Sequence, residues 1–516
     1  MNTLFKRPVL FVVLALLISA IPVQSQTLLT EHEEAGYENY TSHENMIRFL
    51  QEVKSTSSEM FLGSYGTSIL GNDLPYAVFS RSGITKPWEA MNSGKLTVML
   101  SANIHGGERT LRESVLLLIR ELATPGSEAN KLLDELVVIM IPSMNPDGFQ
   151  MLPRATRGNS HGIDMNRDYI KLEQPSLVQY VQNILHTWYP QLFVEGHNGG
   201  RFPYNIAYQG PSHASHFLDL TLLCDNEIFP LIDEKMEAAG YRSWYYSRGD
   251  EKQWSVGMFD PRNGRNYGGL MNSVAILFES PGSQDAKTGT LSGFVAYKAV
   301  LQYAAANAEK VREAVDNANR ETVEMGKNAL GDVVVQMEYE PEDYKVSYLI
   351  GEGEGEDRTI VEVNDALIMK KPSILKTRPR PYAYLLNRQS GKAIQMIRRH
   401  NIQVEELFKD IELEVQYYVL DSVSYEHEYD HLASVEVRVE EVLTKKVMFP
   451  KGTYVIQTGQ NLGRVVTHIL EPETEDNIVK WNAMDYVFHE NKELRTELPI
   501  FKLMTPMALP ARSVRN

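Results

Sequence analysis

The chain has 516 residues, of which 43% are hydrophobic, and a formal net charge of −16. That length predicts two or three domains, and the apolar content supplies large cores, which excludes a globally disordered chain. The acidic balance excludes nucleic acid as a natural partner, because phosphate binding relies on basic surface.

Residues 1–25 read as a signal peptide. Lys6 and Arg7 form its positive start, Val9 to Ile21 its apolar middle, and Val23-Gln24-Ser25 a cleavage site before Gln26. The apolar run is shorter than the roughly 20 residues a spanning helix needs. The expectation is therefore an exported protein, periplasmic or extracellular, with no stable membrane insertion after cleavage. The single cysteine, Cys224, cannot form an internal disulfide and is expected as a buried apolar residue.

Taken in order, Tyr40 to Lys54 places Met46, Phe49, Leu50 and Val53 on one helical face. Met60 to Tyr65 and Leu74 to Ser80 read as strands, as does the apolar run from Leu96 to Ala102. Ser114 to Leu122 reads as a helix and Leu136 to Ile141 as a buried strand. A helix follows over Leu177 to Trp188, then a strand over Gln191 to Val194. Leu218 to Ala239 reads as helical with a break at Pro230, Val274 to Phe278 as a strand, and Phe294 to Val315 as one long helix. Strands alternating with helices predict an α/β domain with a mixed, mainly parallel sheet flanked by helices, over residues 26–325. Residues 326–516 change to alternating strand patterns, with one helix over Ala393 to Arg399. They are expected to form a smaller β-rich domain, whose role the sequence leaves open.

His105-Gly106-Gly107-Glu108 follows the strand that ends at Ala102. Imidazole and carboxylate are common zinc ligands, and three residues apart on a tight turn they can converge on one ion. The two glycines are expected to let the backbone turn sharply. His105, Asn145, His197 and Glu279 all fall at predicted strand ends, where such sheets place their ligands.

From Tyr37 to Val315 the chain resembles the carboxypeptidase A-like zinc carboxypeptidases, on several motifs in order. His105 and Glu108 match that family's first two metal ligands, and His197 falls where the third belongs. Asn145-Pro146-Asp147-Gly148 matches a structural turn. Asn166-Arg167, within Asp164-Met165-Asn166-Arg167, matches the pair that holds a substrate's terminal carboxylate. Arg157 matches the arginine that polarises the scissile carbonyl, with Arg154 as a competitor. Glu279 matches the catalytic glutamate. The resemblance implies one zinc ion per catalytic domain and peptide or protein C-termini as substrate. Two histidines and a glutamate leave zinc a fourth position for water. Glu279 could take that water's proton.

The spacing from Glu108 to His197 is shorter than in digestive members, and the substrate-capping tyrosine has no certain match. Tyr267 is the candidate; Tyr245 and Tyr246 compete. Arg262 and Arg265 lie nearby. His427-Glu428-Tyr429-Asp430-His431 spells the signature of another zinc peptidase class, but it lies between strand-like runs rather than on the helix that signature needs. The reading is an exported zinc metallocarboxypeptidase that removes C-terminal residues. Its alternatives are a related zinc amidohydrolase, acting on acyl-amino acids or cell-wall peptides, and a catalytically dead peptide-binding protein. The oligomeric state stays open.

Overall fold

The computed structural model describes residues 28–353, 358–427, 430–490 and 496–514. The expected signal peptide over residues 1–25, and Glu428 and Tyr429 of the His427–His431 segment, lie outside these residues.

Short apolar runs become strands. In order they are β1 (Met60–Thr67), β2 (Asp73–Phe79), β3 (Leu96–Ala102), β4 (Leu136–Ile141) and β5 (Leu192–Gly200). Then come β6 (Ile206–Gln209), β7 (Ser243–Tyr245), β8 (Ser247–Gly249), β9 (Gln253–Val256) and β10 (Val274–Pro281). One eight-stranded sheet runs β1-β2-β4-β3-β5-β10-β6-β7. Its centre, β4-β3-β5-β10, is parallel, and β6 pairs in parallel with β7. The β1–β2, β2–β4 and β10–β6 pairs are antiparallel. The sheet is thus mixed, with parallel pairing where the candidate ligands lie. Every residue of β3 and β4 is buried, as strands covered on both faces require.

Five helices in this half matter to the packing: α1 (His43–Thr56), α2 (Thr110–Ala123), α3 (Gly264–Leu270), α4 (Ala286–Ala306) and α5 (Ala308–Lys327). Helices α1, α2 and α4 pack Met46, Leu50, Val115, Leu118 and Val300 against Val98 and Leu100 on one sheet face. Met99, between those two residues, points into the core on the opposite face, following the two-residue period of a strand. The long helix expected over Phe294 to Val315 is two helices, parted at Asn307, whose side chain bonds back to the Tyr303 carbonyl. The expected break at Pro230 lies elsewhere. The helix widens over Cys224–Ile228, just before Pro230, and its backbone stays helical into the next segment.

The second half starts with β11 (Asp332–Pro341), β12 (Val346–Glu352) and β13 (Thr359–Pro379). Strand β13 pairs in parallel with β9 over Leu367–Met369, so one sheet joins the two halves of the chain. The strands β14 (Ala383–Leu386), β15 (Glu405–Leu407), β16 (Ile411–Glu426) and β17 (Ser434–Phe449) follow. With β18 (Tyr454–Gln457), β19 (Thr496–Leu503) and β20 (Ala511–Ser513) they form a seven-stranded sheet of antiparallel pairs. Two helices, α6 (Gly391–Arg399) and α7 (Gly463–Leu470), accompany it. Residue 326 falls in the last turn of α5. No gap in packing follows there: Met99, Tyr180 and Phe193 share one core with Tyr384, Ile394, Val465 and Leu498. That core extends to a buried ion pair, Lys502 Nζ to Glu471 at 2.8 Å, where Tyr384 also donates to Glu471.

A chain ending at Lys327 would expose the apolar face that Ile394, Val465 and Leu498 cover. It is expected to aggregate or to melt without a cooperative transition, read by circular dichroism. A melt as sharp as that of the whole chain would contradict a shared core.

Candidate metal centre and substrate cleft

Strand β3 delivers the chain to His105 through a turn that its neighbours dictate. Asn103 takes the left-handed conformation, φ +62°, and its Nδ2 donates to the carbonyls of His105, Gly106 and Glu108 at 2.9–3.2 Å. Neither Gly106 nor Gly107 has a positive φ, which corrects the expectation that glycine freedom makes this turn. Gly106 is needed for close approach: a Cβ there would lie 2.1 Å from the Gly148 carbonyl carbon. Gly148 belongs to the Asn145-Pro146-Asp147-Gly148 turn. Asn145 ties that turn to the site by donating to the carbonyls of Ile104 and Gly158.

The parallel register of β5 and β10 sets His197 directly beside Glu279. Three atoms then converge. His105 Nδ1 lies 2.8 Å from Glu108 Oε2, His197 Nδ1 lies 3.0 Å from the same oxygen, and the two Nδ1 atoms are 3.2 Å apart. Ligands at about 2.0–2.1 Å from a tetrahedral ion stand roughly 3.3 Å from one another, so this donor set fits zinc. The outer ring nitrogens have acidic anchors. His105 Nε2 meets Asp164 Oδ1 at 3.0 Å, and His197 Nε2 meets Glu195 Oε2 at 3.1 Å. Such partners fix the ring orientation and raise ligand basicity. Burial opposes a charge on His197, but Glu108 and Glu195 outweigh it and raise its pKa to about 10. The cluster attracts positive charge.

Glu279 is buried, and its Oε2 has no hydrogen-bond partner. Burial pushes its carboxyl above the ordinary range. Gly199 makes room for it, since a Cβ there would stand 2.7 Å from Glu279 Oε2. Arg157 Nε donates to Asp164 Oδ2 at 2.9 Å, and its Nη1 to Glu108 Oε1 at 3.2 Å. Its competitor Arg154 is exposed and does not line the cleft. Asn166, Arg167 and Glu279 line the same cavity of about 360 Å³ as His105 and Glu108. Asn166 is held by Gly264, whose N–H donates to its Oδ1 at 3.0 Å.

Tyr267 does not reach this cavity. Helix α3 turns it inward, where it is fully buried and its hydroxyl meets His400 Nδ1 at 2.7 Å and His186 Nε2 at 3.1 Å. Tyr245 bonds Asp225 instead. Tyr246 is the tyrosine that lines the cleft. His427 directly follows β16, and His431 pairs with Glu173 at 3.3 Å.

Sequence reading missed two anchors. Glu195 is two residues from His197 on one strand, hence on the same face. A carboxylate inside an otherwise apolar buried strand was the available signal. Asp430 was unreachable by such reasoning: from the β-rich half, its Oδ2 accepts the Asp164 N–H at 2.6 Å.

Residues 46–260 match a family model described as zinc carboxypeptidase. The match takes in His105, Glu108 and His197, and Glu279 lies beyond it. The chain is 26% identical over 495 residues to carboxypeptidase 2 of Trichophyton equinum, covering 91% of this chain and 87% of that protein. It is 24% identical over 493 residues to carboxypeptidase 2 of Trichophyton rubrum, with the same 91% and 87% coverage. A solved metallo-carboxypeptidase from Pseudomonas aeruginosa, in complex with (2-guanidinoethylmercapto)succinic acid, aligns at 20% identity and a TM-score of 0.41, covering 52% of this chain and 69% of that one.

Two substitutions separate anchors from bystanders. Asp164→Ala is expected to weaken zinc binding by about 10–100-fold in a competitive chelator titration. Tyr267→Phe leaves His400 Nδ1 without its donor, which costs about 1–3 kcal/mol of stability in a denaturant melt with kcat/KM unchanged. A selective loss of turnover in that variant would return Tyr267 to the cleft.

Proposed function

We propose that this chain is a zinc-dependent peptide-bond hydrolase of the zinc carboxypeptidase kind, whose family model matches residues 46–260, and that it removes single residues from free peptide C-termini with Glu279 as general base. The observation that carries the reading is the unpartnered Glu279 Oε2 beside the His105, Glu108 and His197 cluster.

Zinc, when bound by these three residues, supplies a Lewis acid that acidifies a water and polarises a carbonyl. Glu279 takes the proton of the attacking water and returns it to the leaving amine. Its burial favours that exchange, because a carboxylate with a raised pKa gives up a captured proton less readily to bulk water and holds it for the amine. Arg157 is anchored through its Nε to Asp164, which aims its guanidinium along the cleft toward the scissile carbonyl oxygen. Arg167 and Asn166 supply the planar fork and the extra donor that a terminal carboxylate needs. Tyr246, in place of Tyr267, is the aromatic residue positioned to cover the bound terminus.

We read the chain as exported on its leader. No helix of the described residues is long and apolar enough to cross a membrane.

The test is mass spectrometry of peptides carrying free or amidated C-termini. Stepwise loss from free termini only is expected, with activity lost on chelation and restored by zinc. Glu279→Gln is expected to lower kcat by at least about 100-fold while zinc stays bound. Equal cleavage of amidated peptides would refute the carboxypeptidase reading, and full activity in Glu279→Gln would refute the base.

A further inference from the structure

The cleft holds a buried cation with no anion. Arg265 is 3% exposed, and its guanidinium donates only to uncharged oxygens. Nη1 reaches the Gly210 carbonyl at 2.7 Å and Ser212 Oγ at 2.6 Å, and Nη2 reaches the Met258 carbonyl at 2.6 Å. Among the described residues no carboxylate forms an ion pair with it. Asp260 acts on it only at a distance and itself faces Arg262 at 3.5 Å. Burying a charge without a counter-charge is costly, and burial accordingly lowers the pKa of this guanidinium. A ligand that brings an anion to this guanidinium would offset that cost.

Arg265 lines the same cavity as Glu279 and Arg167. Tyr246 stands among all three, within the electrostatic reach of each. Gly257 lets Tyr246 and Gln209 approach closely beside Arg265. A Cβ at Gly257 would lie 2.8 Å from both the Tyr246 ring and Gln209 Oε1. The Gly257 carbonyl takes a hydrogen bond from Tyr339 at 3.1 Å, so β11 of the second half closes this wall. The lining as a whole carries Arg157, Arg167, Arg201, Arg248 and Arg265 against Glu108, Glu195 and Glu279. Glu108 faces the metal and Glu195 is spent on His197, so the free surface of the cleft is basic in a chain of net charge −16.

We propose that Arg265 is the specificity residue for the side chain of the departing residue, and that the enzyme prefers C-terminal glutamate or aspartate. This rests on the carboxypeptidase reading and deepens it. Arg167 takes the main-chain carboxylate and Arg265 the side-chain carboxylate, in a charge-assisted pair that glutamine, of the same shape, cannot make. Arg201 and Arg248, exposed at the mouth, favour approach of acidic termini.

The test uses the full-length zinc-loaded enzyme and peptides identical except for a last residue of Glu, Asp, Gln, Leu or Lys. The expected result is a kcat/KM for Glu at least about 100-fold above that for Gln, a site built for one polar group rejecting its isostere. Arg265→Gln should collapse that ratio at least tenfold, mainly through KM, and Arg265→Lys should restore part of it. If Arg265 only braces the loops at Gly210 and Met258, the variant loses kcat/KM equally for every peptide, which overturns the proposal. Should Arg265→Gln fail to fold, the unaltered enzyme still decides: (2-carboxyethyl)succinate should inhibit more tightly than benzylsuccinate, and the reverse order overturns the proposal. Release of Leu or Lys in preference to Glu overturns it while leaving the carboxypeptidase reading intact. No release from any free terminus sinks both.

Discussion

The site depends on two buried carboxylates outside the converging triad. Asp164 and Glu195 stand behind His105 and His197 and hold both imidazole rings with their inner nitrogens aimed at one point. Each is itself held. Glu195 accepts from Tyr169 at 2.6 Å, and Gly264 leaves it space, since a Cβ there would lie 2.7 Å from its oxygens. Asp164 takes the Asn166 N–H at 2.8 Å and anchors Arg157. Burial alone would discharge such acids. The contacts with His105 and Arg157 win for Asp164 and hold it well below the usual carboxylate range. The metal-facing triad is the front of a network whose rear sets its geometry.

Much of that front was legible in the chain. His105 follows the end of β3, whereas His197 and Glu279 lie inside β5 and β10, which run past the ends expected at Val194 and Phe278. The three still meet because β3, β5 and β10 are neighbours. Periodicity found most of the strands, since a fully apolar run such as Leu136–Ile141 has few other solutions. It failed where distance along the chain was used to infer direction in space. Tyr267 is close to Glu279 in sequence, but α3 points it at His400 and the second half of the chain. Tyr246 follows directly after β7 and faces the cleft, a difference set by the pleat of a three-residue strand that no pattern announces. The turn at His105 misled in another way. Its glycines suggested an unusual backbone, whereas the left-handed residue is Asn103 and Gly106 is there for contact with Gly148.

The second half of the chain carries none of the triad, yet it supplies two contacts beside the cleft and one in the core behind it. Asp430 fixes the backbone of Asp164, Tyr339 closes the wall near Arg265, and His400 holds the tyrosine that the sequence had suggested for substrate. These contacts join elements more than 80 residues apart, which is why no local pattern reveals them. The continuous core from Met99 to Leu498 makes the arrangement stiff.

That continuity has a bearing on how the protein is made. Synthesis proceeds from the N-terminus, so His105, His197 and Glu279 emerge well before Asp430, Val465 and Leu498. Domains that fold alone can finish while still attached to the ribosome. The core on one face of this protein's first sheet is complete by Ala318, whereas the core on the other face lacks about half of its residues until nearly the last strand, β19, is complete. The nascent chain therefore carries His105, Glu108 and His197 on a sheet covered on one face only, until the second half of the chain covers the other.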